Sequence, residues 1–168
     1  ITSVSFDDKD EQLISVSGDS TAILWDIRTG LKKLQFRGHK NTVWDARFHP
    51  GGKKLITVSG DNTARIWNRY TGALEKTIQS DSWIYKIKIT ADGKKYILTD
   101  AGGHCTIWDA KTDTLLHRFK TGDKTCYYAE FIKEGKELFT GNYDPVISRW
   151  DLLSGKKVMT YGILNERI

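Results

Sequence analysis

The chain has 168 residues, 39% of them hydrophobic and 28% charged, with a net charge of +5. That is enough apolar material for a sizeable core, and no apolar run approaches the length that spans a membrane. Two cysteines are too few for a disulfide framework, and no signal peptide or lipidation motif is visible, which points to an intracellular protein, cytoplasmic or nuclear.

The first predicted strand covers residues 1–6. A second carries Leu13-Ile14, and a tight turn holds Asp19. A third strand ends on Trp25-Asp26. A Thr29-Gly30 turn leads to a more polar fourth strand, closing the unit at about residue 37. The same order returns over about 43–79: a strand at 43–48, then Leu55-Ile56, Asp61, Trp67-Asn68 and Thr71-Gly72. It returns over about 84–120, with a strand at 84–89, then Tyr96-Ile97, Trp108-Asp109 and Thr112-Asp113. The last copy, about 126–161, has a strand at 126–131, then Leu138-Phe139, Asp144, Trp150-Asp151 and Ser154-Gly155.

The four tryptophans Trp25, Trp67, Trp108 and Trp150 stand 41 or 42 residues apart. A fixed period of that size means one supersecondary unit copied along the chain. Strands of four to eight residues, rich in Val, Ile, Thr and aromatics and punctuated by Gly, Asp and Asn, read as antiparallel hairpins. No stretch sustains helical periodicity. The predicted fold is all-β: four radial blades of four antiparallel strands each, a β-propeller architecture.

These recurring residues resemble the WD-repeat β-propeller family over the whole chain. In that family a Gly-His pair precedes the first strand. The resemblance implies that its His bonds the turn Asp, a second-strand Ser or Thr, and the Trp. Only the second copy holds every member, as His39, Thr57, Asp61 and Trp67. The first copy has Ser15, Asp19 and Trp25, and the fourth has Thr140, Asp144 and Trp150. The third has Leu98 and Gly102 at the Ser/Thr and Asp positions, so it is expected to be the least well tied. Family rings usually close with seven or eight blades. Four blades are therefore expected either to continue in a longer chain or to pair with a second copy. The initial Ile, in place of Met, favours the longer chain.

Candidate chemistry is thin. His39, Thr57 and Asp61 contain pieces of a catalytic triad, but a triad needs an exposed nucleophile and an oxyanion hole. They fit a buried hydrogen-bond chain instead. His104 and Cys105 are adjacent on a strand, point to opposite faces and cannot share an ion. No Cys or His pair has zinc spacing. No catalytic residue, metal or cofactor is expected. Lys-Lys pairs recur at 32-33, 53-54, 94-95 and 156-157, but acids flank them, so a solvated mixed face is expected in place of a nucleic-acid or membrane surface.

The leading functional expectation is a non-catalytic scaffold that binds a protein or peptide. In this family the start of the first strand and the turn between strands two and three share the narrow rim. Mapped here, those positions hold Trp44, Trp83, Tyr85, Tyr127, Tyr143 and Asn62. The first strands bury their positions one, four and six, and the aromatics fall outside that set. Exposed Trp and Tyr are the material of binding hot spots. Two alternatives share this fold, with nucleic-acid binding through the lysine-rich rim as a weaker third. One is a regulatory or sensor region of a larger signalling protein or enzyme. The other is a substrate receptor of cullin-RING ligases, suggested by Asp19, Trp25, Asp26 and Arg28.

Overall fold

The computed structural model describes residues 1–143 and 146–162. Sixteen strands form four four-stranded antiparallel sheets, each a simple meander in chain order. The first sheet holds β1 (Ser3–Phe6), β2 (Gln12–Val16), β3 (Ala22–Asp26) and β4 (Lys32–Phe36). The second holds β5 (Val43–Phe48), β6 (Lys54–Ser59), β7 (Thr63–Asn68) and β8 (Leu74–Gln79). The third holds β9 (Ile84–Ile89), β10 (Lys95–Asp100), β11 (His104–Asp109) and β12 (Thr114–Lys120). The fourth holds β13 (Cys126–Ile132), β14 (Glu137–Asn142), β15 (Val146–Asp151) and β16 (Lys156–Gly162). Beyond strands, the described residues contain one short 3-10 turn at Lys133–Gly135.

Why each unit turns where it does is visible in two recurring devices. In all four sheets the pairing of the third and fourth strands slips at the step onto the Trp, between Leu24 and Trp25, Ile66 and Trp67, Ile107 and Trp108, and Arg149 and Trp150. Such bulges add local twist and re-aim a side chain. The residue after each Trp then caps the following turn. Asp26 accepts from the Thr29 N–H and hydroxyl, each at 2.9 Å. Asp109 does the same for Thr112, and Asp151 for Ser154. Asn68 accepts from the Thr71 N–H at 3.1 Å. Side-chain to backbone bonds of this kind let Asp and Asn fix tight turns.

The chain divides into two compact units, Ile1–Ile87 and Lys88–Ile168. In the first unit, Ile14, Val16, Ala22, Leu24 and Phe36 of the first sheet pack with Val43, Ala46, Leu55 and Trp67 of the second. Phe36 and Trp67 meet with ring centroids 5.7 Å apart. In the second unit, Ile97, Cys105, Ile107 and Phe119 pack with Ala129, Leu138, Trp150 and Leu152. Phe119 and Trp150 meet at 5.3 Å, in the places that Phe36 and Trp67 hold in the first unit. Two copies of one interface are what a sequence repeat should build.

The third sheet is tied differently from the second, not left untied. Its Trp108 indole N–H donates to the Thr106 hydroxyl at 2.9 Å, which takes over the role of the missing Ser/Thr at position 98. Tyr96 stacks on Trp108 with ring planes 6° apart. The Tyr96 hydroxyl donates to Asp113 at 3.2 Å. Asp113 stands where other copies have Gly30, Gly72 and Gly155, and like them it has a positive φ, here 55°.

Candidate functional site

Within the first unit an aromatic group gathers at the start of β5 and β9. Trp44 and Tyr85 have ring centroids 5.2 Å apart, tilted by 42°. Trp83 meets the edge of Tyr85 at 6.4 Å. Both separations lie in the range of favourable aromatic pairs. Trp83 is 46% exposed, while Trp44 and Tyr85 are half-buried.

Backbone geometry explains why Trp44 escapes the core. β5 pairs with β6 through Val43 opposite Ser59 and Asp45 opposite Val58, so Trp44 is the extra, bulged residue. A bulge breaks the in-out alternation at one position. Below it, the Trp44 indole lies over Gly60. A Cβ added at Gly60 would stand 3.3 Å from Trp44 Nε1 and 3.3 Å from the Asn41 side chain. Trp44 Nε1 is itself buried and has no hydrogen-bond partner.

Asp45, the next residue, is fully buried. One of its oxygens accepts from the Ser3 hydroxyl at 2.7 Å and from the Ala46 N–H at 3.0 Å. The Arg47 guanidinium lies 3.1 Å from the same oxygen. The other oxygen accepts from the Ile87 N–H at 3.3 Å. Asp45 thus joins β1, β5 and β9.

Asn62 follows the turn Asp61 with φ 67°, a left-handed conformation that Asn adopts more readily than most residues. Its backbone oxygen accepts from the Ser80 N–H at 2.8 Å, and its side-chain oxygen is buried without a partner. The turn geometry therefore accounts for this residue type.

In the second unit, Tyr127 and Tyr143 lie 6.2 Å apart. Tyr127 is again the bulged residue of its strand, between Cys126 and Tyr128. Tyr143 is 72% exposed, with the Lys124 ammonium 6.0 Å from its ring. Tyr128, a neighbour that the pattern did not single out, is also strongly exposed.

The buried chain of the second sheet has a definite direction. Trp67 Nε1–H donates to the Thr57 hydroxyl at 2.9 Å. That hydroxyl lies 2.7 Å from His39 Nε2, and His39 Nδ1 lies 2.8 Å from Asp61. With Trp67 donating into it, Thr57 is free to donate onward to Nε2, which places the histidine proton on Nδ1, facing Asp61. Burial lowers the His39 pKa, against the pull of Asp61, and so favours this neutral form. Burial would raise the Asp61 pKa, but hydrogen bonds from Thr63, the Lys40 N–H and His39 outweigh it and hold it at about 2. Every polar end is consumed within the chain, which leaves no exposed nucleophile.

Elsewhere the network is shorter. Trp25 donates to Ser15 at 2.8 Å, and Asp19 accepts from the Thr21 N–H and hydroxyl. Trp150 donates to Thr140 at 2.9 Å. Asp144 lies outside the described residues.

Sequence reasoning missed Arg69. It stands where the other copies have Ile27, Ala110 and Leu152, an internal contrast that could have flagged it. Its guanidinium donates to Asp7 at 2.9 Å, Gln12 at 2.8 Å and the Gly52 carbonyl at 3.0 Å. It also lies 4.8 Å from the Phe48 ring. This group forms one wall of a cavity of about 440 Å³, at the far end of β5 from Trp44. Among the described residues, no group of His, Cys, Asp and Glu is arranged to hold a metal ion, and no helix is long and apolar enough to cross a membrane.

The family model for "WD domain, G-beta repeat" matches residues 1–26 and 30–68. The matched residues lie in the first copy and in the first three strands of the second. The chain is 30% identical to the guanine nucleotide-binding protein subunit beta of Solanum tuberosum, over 92% of this chain and 45% of that protein. It is 29% identical to the guanine nucleotide-binding protein subunit beta-5b of Danio rerio, over 94% of this chain and 41% of that protein. It is 25% identical to the eukaryotic translation initiation factor 3 subunit I of Meyerozyma guilliermondii, over 99% of this chain and 53% of that protein. The chain thus spans about half the length of these relatives.

Proposed function

This chain belongs to the WD-repeat β-propeller family, and we propose that it is a non-catalytic scaffold that holds a protein or peptide partner on the aromatic rim at the starts of its first strands. The observation that carries this reading is the group of Trp44, Tyr85 and Trp83. Three large aromatics meet outside the core, and one of them leaves nearly half its surface to solvent. Rigid, amphipathic rings of this kind give large contact area at low entropic cost. Tyr127 and Tyr143 are the corresponding candidates in the second unit. The relatives' names support the same reading, since each is called a subunit.

The blades are also read as part of a larger set. Val4 and Phe6 on β1 are 45% and 57% exposed, whereas Ala46 at the matching position of β5 is buried. An uncovered apolar face is the kind of surface that a further blade would bury.

Selection of a displayed peptide library on the 168-residue chain tests the scaffold reading. Trp83→Ala and Tyr85→Ala should each weaken the selected peptides by about 1–4 kcal/mol. Trp83→Ala should leave the melting temperature nearly unchanged, because that ring is largely outside the core. Trp44→Ala should weaken binding and also lower stability, because its indole edge is packed over Gly60. Peptides that bind all three variants as well as the parent chain would place the partner surface elsewhere.

A further inference from the structure

We propose that Asp45 is the positioning residue of the aromatic rim: it locks the first strands of three successive copies together and thereby sets where Trp44 and Tyr85 stand. The functional meaning rests on the rim being a partner surface, but the positional claim is independent of it.

Three observations converge. First, Asp45 follows the bulge directly, so the residue that carries the buried carboxyl group is joined to Trp44 by a single peptide bond. Second, it is fully buried, and both of its oxygens are committed to neighbouring strands. Ser3 on β1 donates to one, and the Ile87 N–H on β9 donates to the other. Ile87 is two residues from Tyr85, so that bond fixes the strand that carries the second ring. Third, the other copies lack this residue at the third position of their first strands, where they have Ser3, Lys86 and Tyr128. A carboxyl group here is therefore not required by the repeat. A buried acceptor with directional bonds to both sides specifies strand positions more sharply than apolar packing does. The Thr2 hydroxyl, bonded to the Val43 carbonyl, supports the same β1–β5 junction. Gly60 supplies the flat floor on which the positioned Trp44 rests.

Asp45→Asn keeps the shape but puts an NH2 group where one oxygen accepts: turned toward Ile87 it loses the bond to β9, and turned toward β1 it faces the Ala46 N–H and the Arg47 guanidinium, so one side of the junction is always disturbed. The test uses the whole chain with its six tryptophans replaced by 5-fluorotryptophan, their fluorine resonances assigned by single Trp→Phe substitutions. The expected result is that Asp45→Asn shifts or broadens the Trp44 and Trp83 signals and leaves Trp25 and Trp67 in place. Ile56→Val, a buried substitution on β6, lowers the melting temperature without moving the rim signals. A library-selected peptide should lose about tenfold in affinity in Asp45→Asn, and less than twofold in Ile56→Val, as expected when contact residues are misplaced. If Asp45→Asn fails to fold, Ser3→Ala removes only the 2.7 Å bond and should give the same pattern with smaller shifts. Unmoved Trp44 and Trp83 signals would overturn the proposal, as would equal movement in Ile56→Val. Moved signals in a chain that selects no peptide would leave Asp45 as the positioning residue and sink the partner reading instead.

Discussion

At the scale of single residues, His39 and Asp61 have opposite functions in one chain of bonds. Asp61 fixes the turn by accepting from the Thr63 and Lys40 N–H groups, and it also holds the His39 proton. Asp61→Ala should strand these donors, His39 among them, and cost about 1–3 kcal/mol, measured by urea unfolding. The pH dependence follows from two depressed pKa values. Below 6.5 the unfolded chain takes up a proton at His39 that the folded chain resists, so stability is full above 6.5 and falls as pH drops toward the lowered His39 value. A further loss comes between 3.8 and about 2, where Asp61 protonates. His39→Gln should flatten the first segment and keep the acid-side loss. An unchanged slope between pH 5 and 7 in His39→Gln would show that His39 is not the group responsible.

At the scale of elements, the third sheet shows how a repeat survives the loss of its usual bonds. The Tyr96 hydroxyl has its pKa raised by burial and by Asp113, so it stays protonated and donates. Asp113 accepts the cost of a left-handed backbone at a turn where Gly is otherwise used. Tyr96→Phe and Asp113→Gly should therefore be strongly non-additive. Their coupling in a double-variant cycle should be about 1 kcal/mol, read from thermal or urea unfolding. Additive effects would show that the 3.2 Å bond carries no stability. The order of the strands and the turn after each Trp were legible in the residues, because hydrophobic alternation and Asp, Thr and Gly turns are local signals. The aromatic positions were legible too, since Trp44 and Tyr127 broke the apolar pattern of their strands. The bulges behind that break were not. A bulge is a mismatch between two strands, and one strand's sequence does not display it.

At the scale of the molecule, the Arg69–Asp7 pair ties the first two sheets together within their unit. Both side chains are more than nine-tenths buried. Removing one partner from such a pair leaves a charge without compensation, so Arg69→Leu should cost about 3–5 kcal/mol. Asp7 also accepts from the Glu11 and Gln12 N–H groups, which an Asn would still serve. The double variant Asp7→Asn/Arg69→Leu should accordingly recover most of the loss in a urea titration. A double variant as weak as the single one would mean that Arg69 acts through packing on Phe48 and not through charge.

The sequence by itself determined the repeat and the meander of four strands, because both rest on spacing and on short-range turn chemistry, and its recurring residues carried the resemblance to the family. It also nominated the second copy's buried chain, since His39, Thr57, Asp61 and Trp67 fall at fixed offsets. Tertiary structure alone decided which residues act across copies. Ser3, Asp45 and Ile87 are about 42 residues apart in sequence yet share one carboxyl group, and Arg69 reaches back 62 residues to Asp7. It also divided the rim aromatics into an exposed Trp83 and a Trp44 packed over Gly60, a difference made by neighbours in space. Local propensities are written residue by residue, whereas burial and long-range hydrogen bonding exist only once the sheets are stacked.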